Sequence, residues 1–182
     1  MLSEGDKAPA FELASDDGES FSLTEALKEG GGRSLVLYFY PKDDTPGCTR
    51  EAQGFTEAKR KLTAAGASVV GVSKDSIKSH CGFRDKYRLA FPLLSDPELA
   101  VHRAYGAYGE KTMYGKKVLG VIRSTFLIAP DGKIAKAWRS VKVDGHVDAV
   151  LAAIQSPKGA SVKSATKNTA KKSAAKKTTK KK

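Results

Sequence analysis

The feature that most constrains the fold is a run of six consecutive apolar or aromatic residues, Leu35 to Tyr40. A run of this length without a polar residue is typical of a strand that is buried on both faces of a sheet. Pro41 ends the run, because proline cannot donate to the hydrogen-bond ladder of a sheet. A polar turn follows at Lys42 to Gly47, and a segment with helical periodicity comes next. The chain is therefore predicted to pass from a buried strand directly into a helix.

Cys48 lies where this strand connects to the helix, in the first helical turn. Backbone N–H groups at a helix N-terminus lack intrahelical acceptors, and the helix dipole favours a negative charge there. A cysteine in such a position tends to be a thiolate, which is the nucleophilic form. The pattern predicts a reactive thiol, although a buried free cysteine can also be an inert apolar residue.

Strand and helix patterns alternate along the rest of the chain. The helix over 49–65 has one apolar face and is followed by Gly66, a typical helix stop. That face consists of Ala52, Phe55, Ala58 and Leu62. Further extended segments are predicted at 8–13, 21–23, 68–72, 91–94, 121–129 and 134–140, further helices at 24–27, 76–88, 97–105 and 146–155, and a lysine-rich surface loop at 109–112. This order predicts an α/β fold with a central mixed sheet flanked by helices.

The charge of the chain is concentrated at its C-terminus. The net charge is +12, and ten lysines without any acidic residue lie in the last 26 positions, so residues 1–156 carry only +2. The tail alternates Lys with Ala, Ser and Thr and has no apolar periodicity, so nothing in it could offset the entropy of ordering. We predict one folded domain at 1–156 and a disordered tail at 157–182.

Several classes of protein are disfavoured by composition. No apolar signal core or segment of transmembrane length occurs, so a cytoplasmic protein is expected. Two cysteines are too few for a disulfide scaffold. Those cysteines and the three histidines also lack the spacing of a zinc site, so no metal and no cofactor are expected.

The segment around Cys48 resembles a known family. Pro41-x-x-x-Thr45-x-x-Cys48 is similar to the peroxidatic motif of peroxiredoxins, and Thr-Pro-Gly-Cys-Thr-x-Glu, ending at Glu51, resembles the bacterioferritin-comigratory or peroxiredoxin Q subgroup. Four other segments also match in family order: 5–11, 71–76, 91–96 and 123–128. The resemblance implies a thioredoxin-like fold and thiol-dependent reduction of hydrogen peroxide and organic hydroperoxides.

The resemblance also implies roles for individual residues. Cys48 matches the peroxidatic nucleophile, and Arg123 matches the active-site arginine, a permanent cation beside the thiol. Thr45 would orient the thiolate or the peroxide, Pro41 would shield the pocket from water, and Glu51 would orient the arginine. From the residues alone, Arg123 could instead be an exposed arginine at a strand start, and Thr45 an ordinary turn residue.

Resolution of the oxidised thiol is the open question. Attack on a peroxide leaves Cys48 as a sulfenic acid, which must be reduced. Many members of the subgroup carry a resolving cysteine five residues later, where this chain has Gln53. Some members place it in a later helix, which matches Cys81 and implies an intramolecular disulfide recycled by thioredoxin. Alternatively, Cys81 faces the core, four residues after Ile77, and an external thiol resolves a one-Cys enzyme.

Two other functions compete with peroxide reduction. A general thiol–disulfide oxidoreductase is disfavoured because Thr45 stands where a Cys-x-x-Cys pair would need its first cysteine. A nucleoid-associated binding protein is the other rival, since the lysine-rich tail at 157–182 is suited to non-specific binding of DNA or another polyanion. The resemblance implies a monomer, since many relatives in this subgroup are monomers, and no exposed apolar stripe argues otherwise.

Overall fold

The structure, a computed structural model, describes residues 2–156 of the chain. The strands in this range are β1 (Glu12–Ser15), β2 (Ser20–Ser22), β3 (Ser34–Phe39), β4 (Ala67–Ser73), β5 (Leu93–Ser95), β6 (Tyr108–Met113), β7 (Lys116–Val121), β8 (Ser124–Ile128) and β9 (Ile134–Arg139). The helices in the same range are α1 (Leu23–Glu29), α2 (Pro46–Ala64), α3 (Ile77–Tyr87), α4 (Ala100–Ala104) and α5 (His146–Gln155).

Seven strands form one mixed sheet in the order β2-β1-β5-β4-β3-β8-β9. β3 is central: it pairs in parallel with β4 and antiparallel with β8. Every residue of β3 is buried, as its apolar run predicts. The arrangement confirms the predicted α/β fold with a thioredoxin-like mixed sheet.

The core has two halves, one on each face of the sheet. Successive side chains of β3 point to opposite faces, so Tyr38 packs with Phe55 of α2, whereas Phe39 packs with Tyr105. The first half also contains Val150 and Ile154 of α5. Helices on both faces therefore fix the carboxyl end of β3, where the chain turns into α2.

α2 begins three residues earlier than predicted, at Pro46 instead of Thr49. Proline is favoured in the first helical position, because its fixed φ suits the helix and the missing N–H would have no acceptor there. Thr45 is the extended residue before the helix. Cys48 is consequently the third helical residue, inside the first turn as expected. The helix ends before Gly66, whose φ of +81° confirms it as the stop.

The region from 97 to 129 departs most from the sequence-based prediction. α4 spans only Ala100–Ala104, because Leu99 adopts a left-handed conformation and the Asp96 side chain accepts the N–H of Ala100. The strand predicted at 121–129 contains β8, residues 124–128, but begins too early, because Val121 is the last residue of β7, which belongs to a different sheet.

The stretch 109–112, predicted as a lysine-rich loop, lies in β6, which forms a β-hairpin with β7. Among the residues that the structure describes, these two strands pair with no other strand. Its turn carries Tyr114, which is 99% exposed, followed by Gly115. Nearly all residues of these strands are exposed or half-buried, so their sequence lacks the regular apolar pattern of a core strand.

The predicted tail at 157–182 lies outside the described residues. Within the part of the chain that the structure describes, no helix is long and apolar enough to cross a membrane.

Candidate active site

Cys48 is 2% exposed and lies in the first turn of α2. Two backbone N–H groups there, those of Gly47 and Cys48, have no helical acceptor. The Thr45 side chain does not cap them, and Pro46 contributes no N–H. The thiol thus lies beside backbone donors and the positive end of a 19-residue helix.

Arg123 connects the thiol to a buried carboxylate. It immediately precedes β8, which pairs with β3, so its position at the carboxyl end of β3 is set by the sheet. Its Nη2 donates to Cys48 Sγ at 3.2 Å, and its Nη1 donates to Glu51 Oε2. The side chain is only 16% exposed. A permanent cation held in a partly dry site stabilises a thiolate more strongly than an exposed one would.

Glu51 is fully buried, and burial raises its pKa to about 7 against the opposing effect of Arg123. Its Oε1 has no hydrogen-bond partner among the described residues, which agrees with a carboxyl that is costly to ionise. Burial acts to lower the pKa of Arg123, but Glu51 and Cys48 outweigh it and the net shift is upward. The guanidinium therefore stays charged.

Thr45 and Pro41 flank the thiol in the chain. The Thr45 hydroxyl donates to the carbonyl oxygen of Lys42 at 3.0 Å. Its proton is therefore used, and only its oxygen lone pairs remain for a substrate O–H. Pro41 is half-buried and directly follows the buried Tyr40 at the end of β3.

Cys81 contacts a different part of the molecule. It is half-buried in α3, and its Sγ donates to the carbonyl oxygen of Asp16 at 3.3 Å. Arg84 of the same helix pairs with the Asp16 carboxylate at 3.1 Å. Both Cys48 and Cys81 are free thiols. The two sulfurs thus have separate partners, and the structure does not bring them together.

Two buried histidine contacts near the site were missed in the sequence. His146 Nε2 lies 2.8 Å from Thr125 Oγ1, and burial together with the charge of Arg123 lowers its pKa to about 4. His80 Nδ1 lies 2.8 Å from Asp43 Oδ2. No local pattern signals either pair, because each joins residues that are distant in sequence. Among the described residues, no three His, Cys, Asp or Glu side chains are grouped so that they could hold a metal ion.

A thioredoxin-like sheet that presents an arginine-bound thiol at a helix start is the architecture of a thiol-dependent peroxidase. The model of the AhpC/TSA family matches residues 4–137. The chain belongs to this family, and within it to the bacterioferritin-comigratory or peroxiredoxin Q subgroup of peroxiredoxins. It is therefore a thiol peroxidase, which takes a peroxide and a thiol reductant.

Similar proteins support this assignment over most of the chain. The putative peroxiredoxin bcp of Coxiella burnetii is 51% identical over 147 residues, which cover 81% of this chain and 95% of that protein. A structure of Xanthomonas campestris peroxiredoxin Q is 48% identical with a TM-score of 0.74, covering 81% of this chain and 91% of that one. A structure of the bacterioferritin comigratory protein from the same organism, described for its alkyl peroxide reduction activity, is 49% identical with a TM-score of 0.72 and covers 79% and 89%.

Proposed function

We propose that Cys48 is the peroxidatic nucleophile. The observation that carries this assignment is the 3.2 Å contact between Arg123 Nη2 and Cys48 Sγ at the start of α2. The thiolate attacks one peroxide oxygen, an S–O bond forms and the O–O bond breaks. The other oxygen leaves as hydroxide or alkoxide and takes a proton, and Cys48 is left as a sulfenic acid.

The surrounding groups suit the charge that develops in this step. The free N–H groups of Gly47 and Cys48 and the guanidinium of Arg123 can stabilise negative charge on the reacting oxygens. The Thr45 hydroxyl donates its hydrogen bond to the carbonyl oxygen of Lys42, so its oxygen can accept a hydrogen bond from the O–H of the peroxide. Pro41 is assigned to shield the thiol from water.

The substrate class we propose is hydrogen peroxide and organic hydroperoxides. The similar Xanthomonas campestris protein is described for alkyl peroxide reduction, which supports the inclusion of organic hydroperoxides.

We assign resolution to Cys81. Its thiol attacks the sulfenic sulfur of Cys48, a disulfide forms and water is released. Position 53, five residues after Cys48, holds Gln53, so the short-spaced disulfide is excluded. A disulfide requires the two Cα atoms to lie within about 7 Å, and both sulfurs must first leave Arg123 and Asp16. A thioredoxin-type dithiol is the proposed reductant of the disulfide.

Three variants test these assignments: wild type, Cys48→Ser and Cys81→Ser. Peroxide consumption with thioredoxin should be lost in Cys48→Ser. After one equivalent of peroxide, intact-mass analysis should show loss of two hydrogen atoms in wild type, and a sulfenic acid or its adducts in Cys81→Ser. Turnover of Cys81→Ser with thioredoxin should fall to a small fraction of wild type.

Two results would contradict different parts of the proposal. Full peroxidase activity of Cys48→Ser would show that Cys48 is not the nucleophile. An unchanged turnover of Cys81→Ser, or a wild type that forms no intramolecular disulfide, shows instead a one-Cys enzyme that an external thiol resolves.

We propose a second activity for the tail, which is the binding of DNA or another polyanion through residues 157–182. The ten lysines and the absence of acidic residues over these 26 positions support it. Without an aromatic residue, the tail is suited to phosphate contacts and not to base stacking. We further propose a monomer that works in the cytoplasm, where a reduced thiol pool would recycle Cys48, with the tail allowing association with the nucleoid.

A further inference from the structure

The turn that precedes Cys48, residues 41–45, is bonded to both ends of α3. Asp43 accepts hydrogen bonds from Ser79 Oγ at 2.7 Å and from His80 Nδ1 at 2.8 Å, in the first turn of the helix. Asp44 pairs with Lys86 at 2.7 Å, in the last turn. The loop that leads to the peroxidatic thiol therefore holds the helix that carries Cys81.

The contact at the start of α3 is buried and charged. Asp43 is 6% exposed and His80 is fully buried. Asp43 Oδ1 also accepts the hydroxyl of Tyr40 at 2.7 Å, so one carboxylate accepts three side-chain donors. Burial acts to raise the pKa of Asp43, but the hydrogen bonds from His80, Tyr40 and Ser79 outweigh it and lower the pKa. The carboxylate is thus ionised and depends on α3 for two of its donors.

His80 has an acceptor at each ring nitrogen. Nδ1 faces Asp43 Oδ2, and Nε2 lies 3.2 Å from the carbonyl oxygen of Leu94 in β5. Both ring nitrogens thus lie within hydrogen-bond distance of an acceptor oxygen, one in the turn before α2 and one in β5. Withdrawal of His80 would break the contacts at both nitrogens and leave the buried Asp43 carboxylate without one of its donors. Loss of a partner from such a buried polar network weakens the contacts that remain.

The same turn is also bonded to the connection between β4 and α3. The backbone N–H of Asp43 donates to Asp75 Oδ2 at 2.8 Å, and Ser73 Oγ donates to the same oxygen at 2.8 Å. Ser76, the next residue, caps α3 by accepting the N–H of Ser79. Asp43 consequently joins the start of α2 and the start of α3 in one hydrogen-bonded unit.

We propose that Asp43 and His80 are positioning residues for the resolving step, and that they couple the opening of the first turn of α2 to the opening of α3. His80 directly precedes Cys81, and the turn bonded to His80 directly precedes the helix of Cys48. When one segment opens, the shared unit breaks and the other is released. Both sulfurs then leave their partners together. This inference rests on the proposed roles of Cys48 and Cys81.

Amide hydrogen exchange on the reduced full-length enzyme tests the coupling without any turnover. Ser76→Ala removes the cap of α3 and touches nothing in α2, so it should speed exchange in α3 by about fivefold. Coupling predicts a comparable rise at the amide of Thr49, which donates to the carbonyl oxygen of Thr45 at 2.8 Å and closes the first turn of α2. In an Asp43→Asn background the Ser76→Ala substitution should speed exchange in α3 only. If Asp43 had a purely structural role, the response of α2 to Ser76→Ala would not depend on the residue at position 43.

If Asp43→Asn does not fold, Ser79→Ala replaces it, because it removes one donor and leaves the carboxylate in place. It should weaken the response of α2 to Ser76→Ala. The coupling is overturned if Ser76→Ala affects α3 alone in the wild-type background, or if α2 responds equally in both backgrounds.

A second measurement separates this inference from the proposed function. Ser76→Ala should shorten the half-time of disulfide formation after one equivalent of peroxide, by a factor similar to the change in exchange. Coupled exchange without any intramolecular disulfide would contradict the role of Cys81 and leave the coupling intact. Disulfide formation without coupled exchange would contradict the coupling and leave the proposed role of Cys81 intact.

Discussion

At the scale of single residues, Glu51 is a carboxyl whose burial opposes its charge. It is fully buried, and one of its oxygens has no partner among the described residues. Its pKa of about 7 means that near neutrality the carboxyl is about half protonated. Arg123 is thus only partly neutralised by Glu51, and much of its charge is available to the thiolate of Cys48.

This environment makes stability depend on pH. The folded pKa of Glu51, about 7, lies above its ordinary value of 4.5, so its contribution is fully present below pH 4.5 and is lost as pH rises through 7. Glu51→Gln does not titrate. The free energy of unfolding of the variant relative to wild type should therefore rise by about 2 kcal/mol between pH 5 and 8, measured by urea denaturation.

Glu57→Gln is the matched control, because Glu57 lies on the exposed side of the same helix. Its difference from wild type should be the same at both pH values. A constant difference for Glu51→Gln as well would show that the buried carboxyl does not titrate in this range.

The sequence suggested the candidate site residues but not their geometry. Cys48 and Glu51 lie in the motif and Arg123 in a separate matching segment, and only the fold shows that one guanidinium contacts both of the others. The Asp43–His80 pair could not be predicted, because its 37-residue separation gives no local signal. The spacing of the three histidines in the sequence argued only against a zinc site and gave no role to His80.

At the scale of elements, the pairing of β3 with β4 depends on one glycine. Tyr38 lies opposite Gly71, and a Cβ at Gly71 would meet the Tyr38 ring at 2.8–2.9 Å. The ring cannot move away, since it packs against Phe55 at 4.9 Å and is fully buried. Gly71→Ala should therefore lower the free energy of unfolding by about 1–3 kcal/mol, measured by chemical denaturation.

Gly82→Ala provides the comparison. Gly82 lies within α3, and among the described residues an added Cβ would meet no atom within 4 Å apart from its chain neighbours and the adjacent backbone of the helix. Alanine is the better helix former, so this variant should be more stable by up to about 1 kcal/mol. Equal effects of the two substitutions would show that the Tyr38 contact does not matter.

Elements with long, regular patterns were predicted well. α5 was predicted with its observed bounds, and β3 and β4 to within one residue, because their apolar periodicity reflects their burial. α4 and the β6–β7 hairpin were not, because the turn around Asp96 and an isolated pair of polar strands leave no such periodicity. The order of the strands in the sheet could not be predicted either, since local sequence patterns do not specify which strands pair.

At the scale of the whole molecule, charge is distributed unevenly. The 156 residues of the predicted domain carry +2, and the tail carries the remaining ten positive charges. Gel shifts with duplex DNA should show binding by the full chain and much weaker binding by residues 1–156. The affinity of the full chain should fall at least about a hundredfold between about 50 and 200 mM salt, as phosphate contacts require.

Both proteins should reduce peroxide at the same rate, because all proposed site residues lie in the described part. Equal, weak DNA binding by the two proteins would contradict a role for the tail in polyanion binding.

The β6–β7 hairpin gives the molecule a place to accept foreign sequence. It bonds to no strand of the seven-stranded sheet, and Tyr114 at its tip is 99% exposed. Exposed turns of this kind are where insertions are tolerated best, since no buried contact or sheet hydrogen bond is lost. An affinity tag or a peptide for surface immobilisation could therefore be built between Tyr114 and Gly115, leaving both chain ends as they are.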